Sequence, residues 1–249
     1  MKQPYNQVKV VKRKSKISFL IIFIFLALTI VFSLVFAPLF GINYLSNLFT
    51  PASGTSFCTY YAVAVDTKTN VITDAQKEAQ SLKTRGCAGV LLKEETYLIF
   101  LWAYSTKQDA QNVCKQINLE NLTPFVYEIK ISKNKKIKEN EKEEYNKFFN
   151  FAISVVENLY QIATKLDKNE LSEINANLEV KNLNLSSNFV SQEIYSNNSK
   201  NFVSLKKIIL SITSILNSIA NESNLSGIVP YSSEIKKAEI QILLLFRNL

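Results

Sequence analysis

Histidine is absent from this sequence, and cysteine, glycine, proline, methionine and tryptophan are scarce: three Cys, five Gly, five Pro, one Met and one Trp in 249 residues. Without His, the commonest metal ligand and the side chain that titrates nearest neutrality is missing, which argues against metal centres and against Ser-His or Cys-His catalysis. Cys58, Cys87 and Cys114 show no CxxC spacing, and their odd number leaves at least one thiol over even where a disulfide forms; they read as small core residues. No constellation of acid, base and nucleophile stands out. The paired carboxylates Glu94-Glu95 and Glu143-Glu144 are more simply a turn and a solvated helix face. The composition therefore points away from an enzyme and implies no cofactor and no metal.

Charge is missing from one stretch altogether. Ile17–Phe40, ISFLIIFIFLALTIVFSLVFAPLF, holds no ionisable side chain, and at about 1.5 Å per residue it reaches ~36 Å as a helix, enough to cross a hydrocarbon layer of roughly 30 Å. A core helix would not stay apolar on every face for so long. A cleaved signal sequence has a shorter apolar centre and a small-x-small cleavage site, to which Val35-Phe36-Ala37-Pro38 is a poor match. Lys2, Lys9, Lys12, Arg13, Lys14 and Lys16 precede the run with no acidic residue among them, so the positive-inside bias keeps the N-terminus cytoplasmic. That cluster supplies most of the formal net charge of +8, so the rest is close to neutral and needs no nucleic-acid partner. The expectation is a single-pass cell-membrane protein: a basic tail (1–16), a transmembrane helix (17–40), an Asn/Ser/Pro spacer (41–56) and extracytoplasmic domains beyond.

Residues 57–132 read as an α+β unit. FCTYYAVAV has strand composition, and ITDAQKEAQSLKTRG has helical spacing at Ile72, Ala75, Ala79 and Leu82 before Gly86. CAGVLL and TYLIFLWAY flank a Lys93-Glu94-Glu95 turn, Ser105 or Thr106 caps a helix with Ala110, Val113, Cys114 and Ile117 inward, and PFVYEIKI is a last strand. The order βαββαβ is that of a split βαβ, ferredoxin-like domain, an antiparallel sheet with two helices on one face and the other face open. Residues 133–249 read as an α-helical bundle or hairpin. KNKKIKENEKEE is a linker or a polar helix start; apolar residues from Tyr145 to Leu166 and from Phe202 to Ile219 recur at helical spacing; Ile235–Leu249 is a further helix. The state of the Asn/Ser-rich segment Asn169–Lys200 stays open.

Residues 57–131 resemble the SPOR domain of bacterial cell-envelope proteins. The family's first strand, roughly Y-x-V-Q-V-G-S-F, is similar to Tyr61-Ala62-Val63-Ala64-Val65-Asp66-Thr67-Lys68, and its second half, about Y-R-V-x-V-G-P-F-S-S-x-x-E-A, to Tyr97 through Ala110, with Ser105, Asp109 and Ala110 the best match. The family's glutamine is Ala64 here, and its strand-end glycines are Asp66 and Trp102. The resemblance implies a sheet face that binds peptidoglycan glycan strands, particularly those stripped of stem peptides, at sites of division or sporulation.

Strict alternation turns Tyr61, Val63, Val65, Tyr97, Ile99 and Leu101 toward the two helices, and Tyr60, Ala62, Ala64, Leu98, Phe100 and Trp102 toward the open face. Tyr60, Phe100 and Trp102 then offer an aromatic platform on which sugar C–H faces stack, with Tyr104 at its rim. The expected glycan site is thus Tyr60, Ala62, Ala64, Leu98, Phe100, Trp102 and Tyr104. Two alternatives stand beside it. The same aromatics pack against the C-terminal helices, or the whole chain is an assembly subunit that contacts a protein partner or itself through those helices without binding glycan.

Overall fold

The computed structural model describes residues 57–119, 122–132, 137–221 and 228–248; the basic tail, the apolar run and the spacer lie outside them. The β-branched and aromatic runs form four strands: β1 (Phe57–Asp66), β2 (Val90–Lys93), β3 (Tyr97–Tyr104) and β4 (Pro124–Ser132). They lie in the order β2-β3-β1-β4 with every neighbouring pair antiparallel. Helix α1 (Ile72–Thr84) joins β1 to β2, and α2 (Lys107–Gln116) joins β3 to β4. The fold class is α+β, as expected.

Local chemistry explains the helix boundaries. The Thr106 hydroxyl accepts the Asp109 N–H at 3.1 Å and so satisfies one of the orphan donors that open α2. After α1 the chain turns at Gly86 (φ +93°) and approaches the helix again at Gly89 (φ +65°), where a Cβ would stand 2.8 Å from the Ala79 carbonyl oxygen. Only glycine fits there. Ala75, Ala79 and Leu82 of α1 are buried while Ile72, on the same predicted stripe, is exposed. Val63, Val65, Ile99 and Leu101 pack with Ala79, Leu82 and Ala110 in one cluster, with Val113 and Cys114 at its margin.

Four longer helices follow: α3 (Lys142–Asp167), α4 (Glu173–Ser196), α5 (Val203–Asn221) and α6 (Tyr231–Leu245). The lysine-rich stretch, read as a linker or a polar helix start, runs through a 3-10 turn, Glu139–Glu141, into the first residues of α3. The segment whose state the sequence left open is α4. Its Ser172 cap accepts the Asn175 N–H, and Ala176, Val180, Leu183, Ser187, Val190 and Ile194 bury one face at three- and four-residue intervals. Tyr145, Phe148, Phe149, Phe202 and Phe246 bind α3, the start of α5 and the end of α6 together through edge-on and stacked rings. Lys200–Asn221 is, among the described residues, long and apolar enough to cross a membrane by length and composition; its Leu205, Ile208, Ile209, Ile212 and Leu216 are buried.

Helix α6 decides the architecture. It packs against α3 and α5 on one side and against β2, β3 and β4 on the other, so the sheet has helices on both faces. The open second face expected from the sequence is corrected: the chain's own C-terminal helix fills it. The boundary drawn at residue 132 separates two regimes of secondary structure, yet the described residues on both sides of it belong to one compact unit.

Candidate functional site

The seven residues expected to bind glycan do not share one exposed surface. Tyr60, Ala62, Ala64, Leu98, Phe100 and Tyr104 are buried, and Trp102 is half-buried. Phe100 is fully covered and meets the Tyr127 ring edge-on at 5.3 Å between centroids. The physical reason is the apolar character of the face itself. An uncovered antiparallel sheet normally presents polar side chains, and a face made of Phe, Tyr, Leu and Ala gains more from burial than from solvation.

Alternation also fails at one point. The β1–β3 register pairs Tyr61 with Tyr104, Ala62 with Ala103 and Val63 with Trp102, then Ala64 with Phe100, so Leu101 is an extra residue, a β-bulge. A bulge re-aims every side chain beyond it. Trp102 and Tyr104 consequently side with Val63 and Tyr61 and leave the row formed by Tyr60, Ala62, Ala64 and Phe100, in place of the platform that strict alternation predicts.

Beyond the bulge, Trp102 is the centre of a polar and aromatic knot. Its ring lies 5.3 Å from Tyr104 and 5.4 Å from Tyr160 of α3. The Lys236 ammonium stands 4.3 Å from the indole centroid, a cation–π geometry. The indole N–H donates to Glu239 Oε2 at 2.9 Å. Lys236, itself buried, is held by Asp167 at 2.6 Å and by the Gly86 carbonyl at 2.8 Å. Lys83 and Glu234 form an ion pair beside it, and the Ser233 hydroxyl donates to the Lys83 carbonyl at 3.0 Å. These bonds tie α6 to the end of α1.

Glu239 is 1 % exposed, and its second carboxylate oxygen, Oε1, makes no hydrogen bond. Burial holds its carboxyl well above the usual carboxylate range, against the opposing pull of the Trp102 hydrogen bond and of Lys236. The Tyr60 and Tyr104 hydroxyls are pushed up chiefly by burial as well and keep their protons. Sequence reasoning missed Glu239 and Lys236. The signal was present: Glu239 sits four residues from both Ile235 and Leu243, a carboxylate at core spacing within an apolar helix.

Exposed apolar side chains gather on the outward face of α4. Ile174 is 71 % exposed, Leu178 53 %, Leu185 58 % and Phe189 72 %, and they fall at i, i+4, i+11 and i+15, one stripe of a helix. No group of His, Cys, Asp and Glu that could hold a metal ion occurs among the described residues, and Cys58, Cys87 and Cys114 are half-buried thiols. No protein-family profile matches this chain, and neither a curated protein nor a solved structure matches it.

Proposed function

We propose that the chain is a membrane-anchored, non-catalytic envelope protein that works as an assembly subunit. In this reading Ile17–Phe40 is the single span, the N-terminus is cytoplasmic and everything from the spacer onward is outside. In the same reading residues 57–132 are a ferredoxin-like unit related to SPOR domains; the ferredoxin-like part rests on the strand order β2-β3-β1-β4 with a helix after β1 and another after β3, and the relation to SPOR domains on the sequence resemblance alone.

The observation that carries the assembly role is the exposed stripe of α4. Single exposed apolar residues are ordinary, but a row of large ones on one helix face marks a contact surface. The occupant is a second copy of the chain. The intervals between Ile174, Leu178, Leu185 and Phe189 are four, seven and four residues and read the same in both directions, so an antiparallel pairing about a two-fold axis brings Ile174 onto Phe189 and Leu178 onto Leu185. Sedimentation of the full chain in detergent is expected to give a dimer. Leu178→Glu combined with Leu185→Glu is expected to give a monomer of unchanged helicity, and a monomeric wild type would sink the proposal.

A second reading keeps the glycan role implied by the resemblance. It is favoured by the grouping of Tyr60, Phe100 and Tyr127 on one sheet face, and it requires α6 to leave that face. The assembly reading expects the full chain to pass through purified sacculi unretained; retention would favour glycan capture during division or sporulation instead.

A further inference from the structure

A buried carboxyl with an unused oxygen is a costly arrangement, and native interiors rarely keep one without a role. Glu239 is such a group, and it lies where α6 meets the sheet. Around it stand Lys236 on its own helix, Tyr60 on β1, Trp102 and Tyr104 on β3 and Tyr160 on α3; Glu157 and Cys58 lie beside Tyr60, and Asp167 and Cys87 beside Tyr104. Toward the far end of α6, Arg247 reaches Glu94 at 3.0 Å and faces the Tyr127 ring. Lys236 does not neutralise Glu239 by direct pairing, because its ammonium bonds to Asp167 and to the Gly86 carbonyl.

We propose that Glu239 is a protonation-operated latch: its carboxyl docks α6 on the sheet while it carries its proton, and loss of that proton to solvent releases α6 and uncovers the face that bears Tyr60 and Phe100. The direction follows from burial. A released Glu239 ionises in the ordinary carboxylate range, whereas the docked one, buried, holds its proton to higher pH. The docked form is therefore at full strength below that ordinary range and loses ground as pH rises toward the docked carboxyl's own titration. Burial also pushes up the Glu157 carboxyl on α3, but it is Glu239 that accepts from Trp102. Tyr60 and Tyr104 keep their protons throughout, and the Arg247–Glu94 pair lies at the surface. The latch does not depend on whether the uncovered face then meets glycan or protein.

The chain's single tryptophan, Trp102, is the hydrogen-bond partner of the latch and so reports on it directly. In the full chain in detergent micelles, raising the pH from acid to mildly alkaline is expected to shift Trp102 emission to the red and at least double its quenching by acrylamide, with a one-proton profile. Glu239→Gln is expected to abolish the transition, and Glu157→Gln to keep it. Hydrogen exchange, corrected for its intrinsic pH dependence, separates release from a merely local change at the indole: amides of α6 are expected to lose protection with rising pH while those of α4 do not. This exchange measurement on the wild type also stands if Glu239→Gln fails to fold. Emission that ignores pH, a Glu239→Gln variant that titrates like the wild type, or α6 protection that is constant with pH overturns the proposal.

Discussion

Phe100 separates the two views of the sheet most directly. On a free binding face, Phe100→Ala would change stability by well under 1 kcal/mol; as a ring fully buried and set edge-on to Tyr127 it is expected to cost about 3–5 kcal/mol in urea unfolding. Trp102→Phe keeps most of the ring but removes the indole donor that Glu239 accepts from, and is expected to cost about 1–3 kcal/mol. Two glycines make a matched pair. Both have positive φ, but a Cβ at Gly86 meets nothing within 4 Å, whereas at Gly89 it would overlap the Ala79 carbonyl. Gly86→Ala should cost about 1–2 kcal/mol from the left-handed backbone alone, and Gly89→Ala clearly more, by thermal unfolding. Gly86 was readable as a helix stop. The need for glycine at Gly89 was not, because it comes from the close return of the chain onto α1.

At the scale of elements, the strands and five of the six α-helices among the described residues follow from periodicity and caps, and α4 shows where that reading stops. Its Asn and Ser content lowers helix propensity, and apolar residues lie on both its faces, Val180 and Leu183 inward and Leu178 and Leu185 outward, so the periodic signal is blurred. Packing against α5 overrides propensity, with the Ser187 and Thr213 hydroxyls bonded at 2.7 Å across that contact. Because α4 begins at a weak sequence, its cap matters: Ser172→Ala is expected to lower stability by about 1 kcal/mol, visible as faster hydrogen exchange over the first turn. In β3 the misread element is the bulge at Leu101. A period of two read from sequence cannot register one inserted residue, and so it sent Trp102 to the wrong row.

For the molecule as a whole, α6 is the shared wall between sheet and bundle, so the described unit is expected to unfold in one transition seen alike by far-ultraviolet circular dichroism and by Trp102 fluorescence. Two separate transitions would instead mean that the boundary at residue 132 divides independent domains. The midpoint is expected to be higher in mildly acidic buffer than in mildly alkaline buffer, since the docked, neutral Glu239 is favoured below the pH at which it ionises, and Glu239→Gln should flatten that slope. By itself the sequence determined the α+β class, the strand and helix order of residues 57–132, and the inward set Val63, Val65, Ile99 and Leu101, because side-chain alternation and helical spacing are local properties of the chain. Tertiary structure alone decided what lies on the sheet's second face. Whether an apolar face stays open or is covered depends on which distant segment reaches it, and α6, Tyr231–Leu245, lies far along the chain from the last strand, Pro124–Ser132.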